Sequence, residues 1–220
     1  MKDNTIEVML KAFNEKYEVT ELDVGEFKTL KVGPMKLNVS QYYIKGVGNL
    51  SIMEGKAMLG LMKMDTLILS AFEIDAPIFS YDRIHAMGND TLIYDLYDSY
   101  ITKADISSLR TIVDRYKDVP DKDPGVHWYD DIRLPEVVLK KAKGKDKEKV
   151  QDLAIEYFQE FLLLLPTFES VGPLIKTPLV DKYAQGLLAN GGASTDAFLK
   201  NMGEEKTRKL FEQVLFATKR

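Results

Sequence analysis

Apolar residues Ile6, Met9, Leu10, Phe13 and Tyr17 recur at helical spacing, with Asp3 or Asn4 placed to cap, so the chain is expected to open with an amphipathic helix. The pattern then shortens. Through "EFKTLKVGPMKLNVSQYYIKG", Glu26 to Gly46, residues alternate or run apolar and are interrupted by Gly33-Pro34 and Gly46, as in short strands joined by turns. Four more strands are predicted over Ala57 to Met64, Thr66 to Ile74, Ile78 to Met87 and Thr91 to Tyr97, the last following the turn-forming "GND". Strands this close leave no room for crossover helices, so the sheet should be antiparallel.

Beyond Asp98 the period lengthens again. Leu109, Ile112, Val113 and Tyr116 mark a short helix, and Val150, Leu153, Ala154, Tyr157, Phe158, Phe161 and Leu162 mark a long one that stops before Pro166. "TPLVDKYAQGLLAN" and "STDAFLKNMGEEKTRKLFEQVLF" add two or three more, with Ser194 or Thr195 as cap and a break at Gly203. Strands followed by helices predict an α+β fold with helices covering an antiparallel sheet. No internal repeat or domain boundary interrupts residues 1–220, which read as one domain. The run "KKAKGKDKEK", Lys140 to Lys149, carries six lysines against Asp146 and Glu148. It reads as a solvated loop leading into a helix, or as a docking patch for an acidic partner.

Composition removes several classes of chemistry. The net charge of −4 and pI near 5.4 argue against a nucleic-acid binder. There is no cysteine, hence no disulfide, thiolate metal site or cysteine nucleophile, and the two histidines, His85 and His127, are too few for a histidine-rich metal centre. "MKDNTIEVML" is too charged for a secretory signal and no window approaches the length of a membrane span, so a soluble cytoplasmic protein without a membrane partner is expected. Nucleotide-binding glycine loops, a GxSxG elbow and an HExxH motif are all missing. Acid–base chemistry therefore falls to carboxylates.

One carboxylate stands out. In "APIFSYDRIHAMGND" Asp82 sits mid-strand, where aspartate is disfavoured because it competes for backbone hydrogen bonds and is costly to bury. A regular strand points Ser80, Asp82, Ile84 and Ala86 to one face, and Tyr81, Arg83 and His85 to the other. His85 is then no partner for Asp82. A carboxyl in an apolar pocket has its pKa raised and is poised to donate a proton. The structural alternative is a strand-end aspartate paired with a lysine or arginine of a neighbouring element.

"TLILSAFEIDAPIFSYDRIHAMGNDTLIYDLYD" resembles the central sheet of the ferredoxin-dependent bilin reductases, where an apolar strand leads through a "P-[IL]-F-G-x-D" segment into a strand ending in a "DL" pair. Pro77, Ile78, Phe79, Asp82, Asp95 and Leu96 match, with Ser80 replacing the glycine. "GEEKTRKLFEQVLF" is similar to that family's terminal helix, and "GVHWYDDIRLPE" to its tryptophan-containing loop. The resemblance implies a three-layer α/β/α sandwich whose central antiparallel sheet is flanked by helices, with a linear tetrapyrrole held between the sheet and the C-terminal helices. The same fold serves reductases of chlorophyll-derived open tetrapyrroles.

Carried over by position, Asp82 contacts the pyrrole nitrogens and supplies a proton, Glu205 is a second proton-delivering acid, and Ser80, Ile84 and Arg208 contact substrate. Arg83, Arg110, Arg115 and Lys206 are further candidates for the propionates. Glu205 also reads as a plain helix N-terminal glutamate favoured by the dipole. The resemblance implies no bound cofactor. It also implies that electrons arrive singly from an external ferredoxin, which the lysine run would help to steer. Many members place a histidine on the strand before this aspartate, and "TLILSAF" has none. A carrier that binds a tetrapyrrole without reducing it is the alternative on the same scaffold.

Overall fold

Strand follows strand in spatial order along most of the sheet. In the computed structural model, which describes residues 4–192 and 194–219, helix α1 (Thr5–Lys16) precedes eight strands: β1 (Val19–Leu22), β2 (Thr29–Val32), β3 (Met35–Ile44), β4 (Gly48–Ala57), β5 (Met62–Ala71), β6 (Ile78–Ala86), β7 (Asn89–Tyr97) and β8 (Val138–Lys143). From β3 to β8 each pairs antiparallel with its sequence neighbour, while β1 and β2 share the outer edge of β3. Helix α2 (Ser108–Arg115) lies between β7 and β8, and α3 (Asp146–Leu164), α4 (Pro173–Asn190), α5 (Thr195–Met202) and α6 (Glu204–Lys209) follow. A π-helical turn, Leu210–Leu215, ends the chain's regular structure.

The predicted sandwich is present, and it explains the apolar run "TLILSAF". One face of the sheet buries Leu67, Leu69, Phe79, Tyr94 and Leu96 against α1, α2 and α3. The other buries Leu37, Met53, Ile68, Ile78 and Tyr97 against α4, α5 and the C-terminal segment. A strand covered on both faces is apolar at successive positions rather than alternate ones. The long helix presents the predicted stripe, Val150 to Leu162, and Phe79 stacks on Phe161 with centroids 4.1 Å apart while Tyr94 stacks on Tyr157 at 4.5 Å. Asn4 caps α1 by accepting from the Ile6 amide at 3.2 Å, and Asp3 lies outside the described residues.

Several expected boundaries shift. Ala57 to Met64 is not one strand: Ala57 ends β4, Met62 begins β5, and Met58 to Leu61 form the turn between them. Thr66 lies inside β5, which stops at Ala71 rather than Ile74. Every residue of "AMLGLMKM" except its glycine and lysine is apolar, so hydropathy hides the turn. Likewise the β6–β7 turn is Met87-Gly88, and Asn89 and Asp90 already belong to β7. Ser194 holds the N-cap position of α5 without a side-chain capping bond, and Gly203, at φ 78°, separates α5 from α6 as expected.

The first half of the lysine run is strand rather than loop, and its second half leads into α3 as expected. Lys140 to Lys143 belong to β8, and Lys140 is buried with its ammonium 2.7 Å from Asp121. Lys149 pairs with Asp118 and Asp146. Strand alternation thus divides Lys140 from Lys141 and Lys143, while Lys147 and Lys149 ride on α3, so the six do not form a single docking patch.

Candidate functional site

Alternation along β6 turns Ile78, Ser80, Asp82 and Ile84 toward the C-terminal helices, and register supplies their neighbours. Asp82 stands between Thr66 of β5 and Ile93 of β7, and Ser80 between Ile68 and Asp95. Asp82 and Asp95 therefore share a face on adjacent strands as diagonal neighbours. Above them lies a cavity of about 250 Å³, whose floor includes Met53, Thr66, Ile68, Ser80, Asp82 and Asp95. Its roof is built from Tyr183 and Leu187 of α4, Thr195 and Phe198 of α5, and Phe211, Leu215 and Phe216. Lys122, His127, Tyr129 and Arg133 of the segment before β8 close one side.

Buried polar groups hold this roof on the sheet. Gln41 Nε2 donates to the Gln213 carbonyl at 3.0 Å, Asn49 Nδ2 to that of Val214 at 3.1 Å, and Ser51 Oγ to that of Leu215 at 3.0 Å. They satisfy carbonyls left unpaired where the chain leaves the helix, and the π-turn, closed by the Phe216 amide on the Phe211 carbonyl at 2.9 Å, swings Phe211 and Phe216 over the cavity. On α4, Lys176 reaches Asp75 Oδ1 at 2.7 Å and also donates to the Ser99 carbonyl.

Asp82 has hydroxyl partners and no cation among the described residues. The Thr66 hydroxyl donates to Asp82 Oδ1, and the Ser80 hydroxyl on the same face of β6 also favours the carboxylate. Burial pushes the Asp82 carboxyl up to about 6, the nearby Asp95 charge adds to the rise, and the two hydroxyls oppose it. The paired-aspartate alternative is therefore not what the structure contains. Burial also raises Asp95, although Arg133 Nε, 3.2 Å from its Oδ1, and the Tyr97 hydroxyl, 3.1 Å from its Oδ2, pull the other way. Arg133 itself lies over the Tyr129 ring at 5.1 Å. The site is thus an apolar cavity with an uncompensated carboxyl poised to gain or lose a proton near pH 6 and a second, cation-paired carboxylate beside it.

Of the residues singled out from sequence, Asp82, Ser80 and Ile84 all line this cavity. Glu205 and Arg208 do not. Glu205 is exposed on α6, 2.9 Å from Lys209, whose hydrogen bond and charge hold its carboxyl below the usual range. Arg208 pairs with Glu204 at 2.7 Å on the same helix. The other proposed cations also lie elsewhere: Arg83 is on the opposite face, bidentate to Asp90, Arg115 pairs with Glu156, Lys206 with Glu26, and Arg110 is exposed on α2. His85 is 3.4 Å from Asp90, away from Asp82 as its parity predicts.

Sequence reading passed over Asp95 as a site residue, along with Thr66, Lys122, His127 and Arg133. Asp95 was recoverable, since a hairpin register through the Met87-Gly88 turn sets it opposite Ser80. Arg133 lies in irregular chain whose course no periodicity dictates. Among the described residues no cluster of His, Cys, Asp and Glu could hold a metal ion, and no helix is long and apolar enough to cross a membrane.

Trp128 braces the roof from behind. Its Nε1 donates to the Gly191 carbonyl at 2.9 Å, and its ring crosses α4 where Gly186 leaves no side chain, since a Cβ there would stand 2.3 Å from Trp128 Cη2. Gly186→Ala should therefore displace the indole and cost about 1–3 kcal/mol despite alanine's better helix propensity. Trp128 is the sole tryptophan, so a red-shifted emission together with a lowered unfolding midpoint checks this directly.

No family model matches the chain, and no curated protein does. Among solved structures it is similar to phytochromobilin synthase from tomato in complex with biliverdin, with a TM-score of 0.76 over 97% of this chain and 82% of that one, at 13% identity. The likeness establishes a shared fold.

Proposed function

We propose that the protein reduces an open-chain tetrapyrrole of the biliverdin type, with Asp82 as the proton donor and single electrons delivered by a ferredoxin. The observation that carries this reading is Asp82 itself: a carboxyl raised to about 6, held by two hydroxyls and no cation, in an apolar cavity between sheet and C-terminal helices. The biliverdin complex of the similar fold supports the choice of ligand.

Reducing one double bond of a bilin consumes two electrons and two protons. Each electron added to the conjugated system raises its basicity, so a proton donor near pH 6 in contact with it is matched to the task. After donation the Asp82 carboxylate is stabilised by the Thr66 and Ser80 hydroxyls. Asp95 is the second carboxyl within reach of the same ligand, and it takes the role that the sequence suggested for Glu205. Arg133 and Lys122 line the cavity and provide cations for ligand carboxylates. Arg133→Gln should weaken biliverdin binding roughly tenfold to a hundredfold, the loss expected for a hydrogen bond to a charged group, and should also shift the pH dependence of turnover, because Asp95 loses the cation that holds its carboxyl down. Absorption titration separates the two.

The deciding experiment is anaerobic: biliverdin is added to the purified protein, the bound spectrum recorded, and reduced ferredoxin supplied. Loss of the bound band with formation of a reduced bilin supports the proposal. A bound spectrum that persists indicates a carrier, and no spectral change on titration with open tetrapyrroles rejects both readings.

A further inference from the structure

Two turns at one end of the sheet present side chains that neither folding nor the cavity uses. Met58, Leu59 and Leu61 on the β4–β5 turn and Met87 on the β6–β7 turn are 63, 107, 73 and 93% exposed. These four are among nine large apolar residues so exposed among the described residues, and pairing of Met62 with Ala86 sets their two turns side by side. Their backbone is as unusual as their exposure. Met58, Leu59 and Met87 adopt φ of 50°, 55° and 51°, the left-handed region in which asparagine or glycine is favoured and a side chain of this size costs stability.

Lysines surround them. Lys56 and Lys63 face each other across β4 and β5 one residue below the first turn, Lys36 extends the row on β3, and Lys143 ends β8 opposite Asn89 beside the second turn. All four are exposed. Of the acidic groups at this end, Asp90 is neutralised by Arg83 and Asp146 pairs with Lys149; Glu54, which accepts from Asn4, and Asp65 opposite it lie two residues below the Lys56–Lys63 pair, and Glu148 is exposed. A chain with net charge −4 thus concentrates positive charge around its apolar tips.

We propose that this end of the sheet docks on an anionic membrane surface, with the Leu and Met tips entering the headgroup boundary and the lysines contacting anionic lipid. Each tip is more than half exposed on a projecting turn, so a protein partner would need a matching cavity whereas a bilayer interface accommodates them. The lysine ring supplies the charge complementarity. Strain retained at exposed turn positions is what a binding role predicts and what folding alone would remove. Lack of a spanning helix is compatible with contact of this kind.

Vesicle flotation of the full chain tests it. The protein should float with phosphatidylcholine vesicles containing a quarter phosphatidylserine, stay behind with phosphatidylcholine alone, and be released by about 0.5 M salt, where the Debye length shrinks to a few ångströms. Leu59→Asn with Met87→Asn should weaken vesicle binding by about a hundredfold. The same pair should leave the unfolding midpoint unchanged or raised, because asparagine accepts the left-handed backbone. Lys56→Gln with Lys63→Gln should cost roughly tenfold or more. Failure of the unmodified protein to bind anionic vesicles overturns the proposal, as does binding that survives both variants. Without vesicle binding, cross-linking of Lys56 or Lys63 to an acidic protein would reassign the surface to a protein partner, and a dimer abolished by the Asn pair would reassign it to a second copy.

Discussion

Asp82→Asn should leave biliverdin binding within a few-fold of the native protein and slow ferredoxin-driven reduction by about a hundredfold to ten-thousandfold, the range expected when a positioned acid is removed. The amide preserves size and hydrogen-bonding capacity toward Thr66 and removes the transferable proton. In the native protein kcat/KM should fall about tenfold per pH unit above about 6, as the free protein's donor deprotonates. A pH profile of single-turnover reduction in both proteins measures this, and a variant that reduces biliverdin at the native rate rejects Asp82 as donor.

The same substitution should stabilise the fold. An unfolded aspartate titrates near about 3.9 and the folded one at about 6, so between those values the folded state binds more protons than the unfolded one. Stability therefore falls as pH rises through that window, and at pH 7 the native protein carries an unfavourable charge worth up to about 3 kcal/mol that asparagine lacks. Asp65 is also raised to about 6, by burial and by Glu54, and adds a fall of the same sign in both proteins. The informative quantity is the difference between their denaturation curves, which should open between pH 4 and 6 and stay open above it. Loss of catalysis together with gain of stability would mark Asp82 as a residue kept for function rather than folding.

Asp75→Ala should be the most damaging single change to the fold. Lys176 is fully buried and Asp75 nearly so. Burial pushes the Asp75 carboxyl up, but Lys176 and the amides of Thr102 and Ile101 outweigh it and hold the group below its usual range. Burial holds the Lys176 ammonium below its own usual value despite the pairing. Removing the carboxylate leaves a buried ammonium with the Ser99 carbonyl and the Tyr100 ring, whose centroid is 5.8 Å away, but no counter-charge, at a cost of about 3–5 kcal/mol. For a chain of this size that lowers the thermal midpoint by roughly 6–20 °C. Because Lys176 anchors α4, which carries Tyr183 and Leu187, biliverdin affinity should fall too. Combining Asp75→Asn with Lys176→Met should recover most of the stability, since an apolar replacement of a buried pair is often near neutral. Equal loss in the single and double variants would show that the pair is not the cause.

Sequence alone determined what depends on neighbours along the chain. Apolar spacing placed α1, α2 and α3, and the shortness of the links made the sheet antiparallel before any contact was known. Parity along β6 settled that Asp82, Ser80 and Ile84 share a face and that Arg83 and His85 leave it, because side chains alternate whatever the surroundings. Where an apolar run crosses a turn, as at Met58 to Leu61, hydropathy carried no mark of it.

Tertiary structure decided what depends on distance through space. Glu205 and Asp95 are both carboxylates at motif positions, yet the helix phase of α6 leaves one in solvent on Lys209 while the strand register of β7 sets the other beside Asp82. Arg133 reaches Asp95 from irregular chain, and Lys140 is buried against Asp121 within a run that reads as uniformly solvated. The raised Asp82 carboxyl is likewise a property of the roof: only when α4, α5 and the C-terminal turn close over the sheet is water withdrawn from it, and desolvation is the largest cause of its shift.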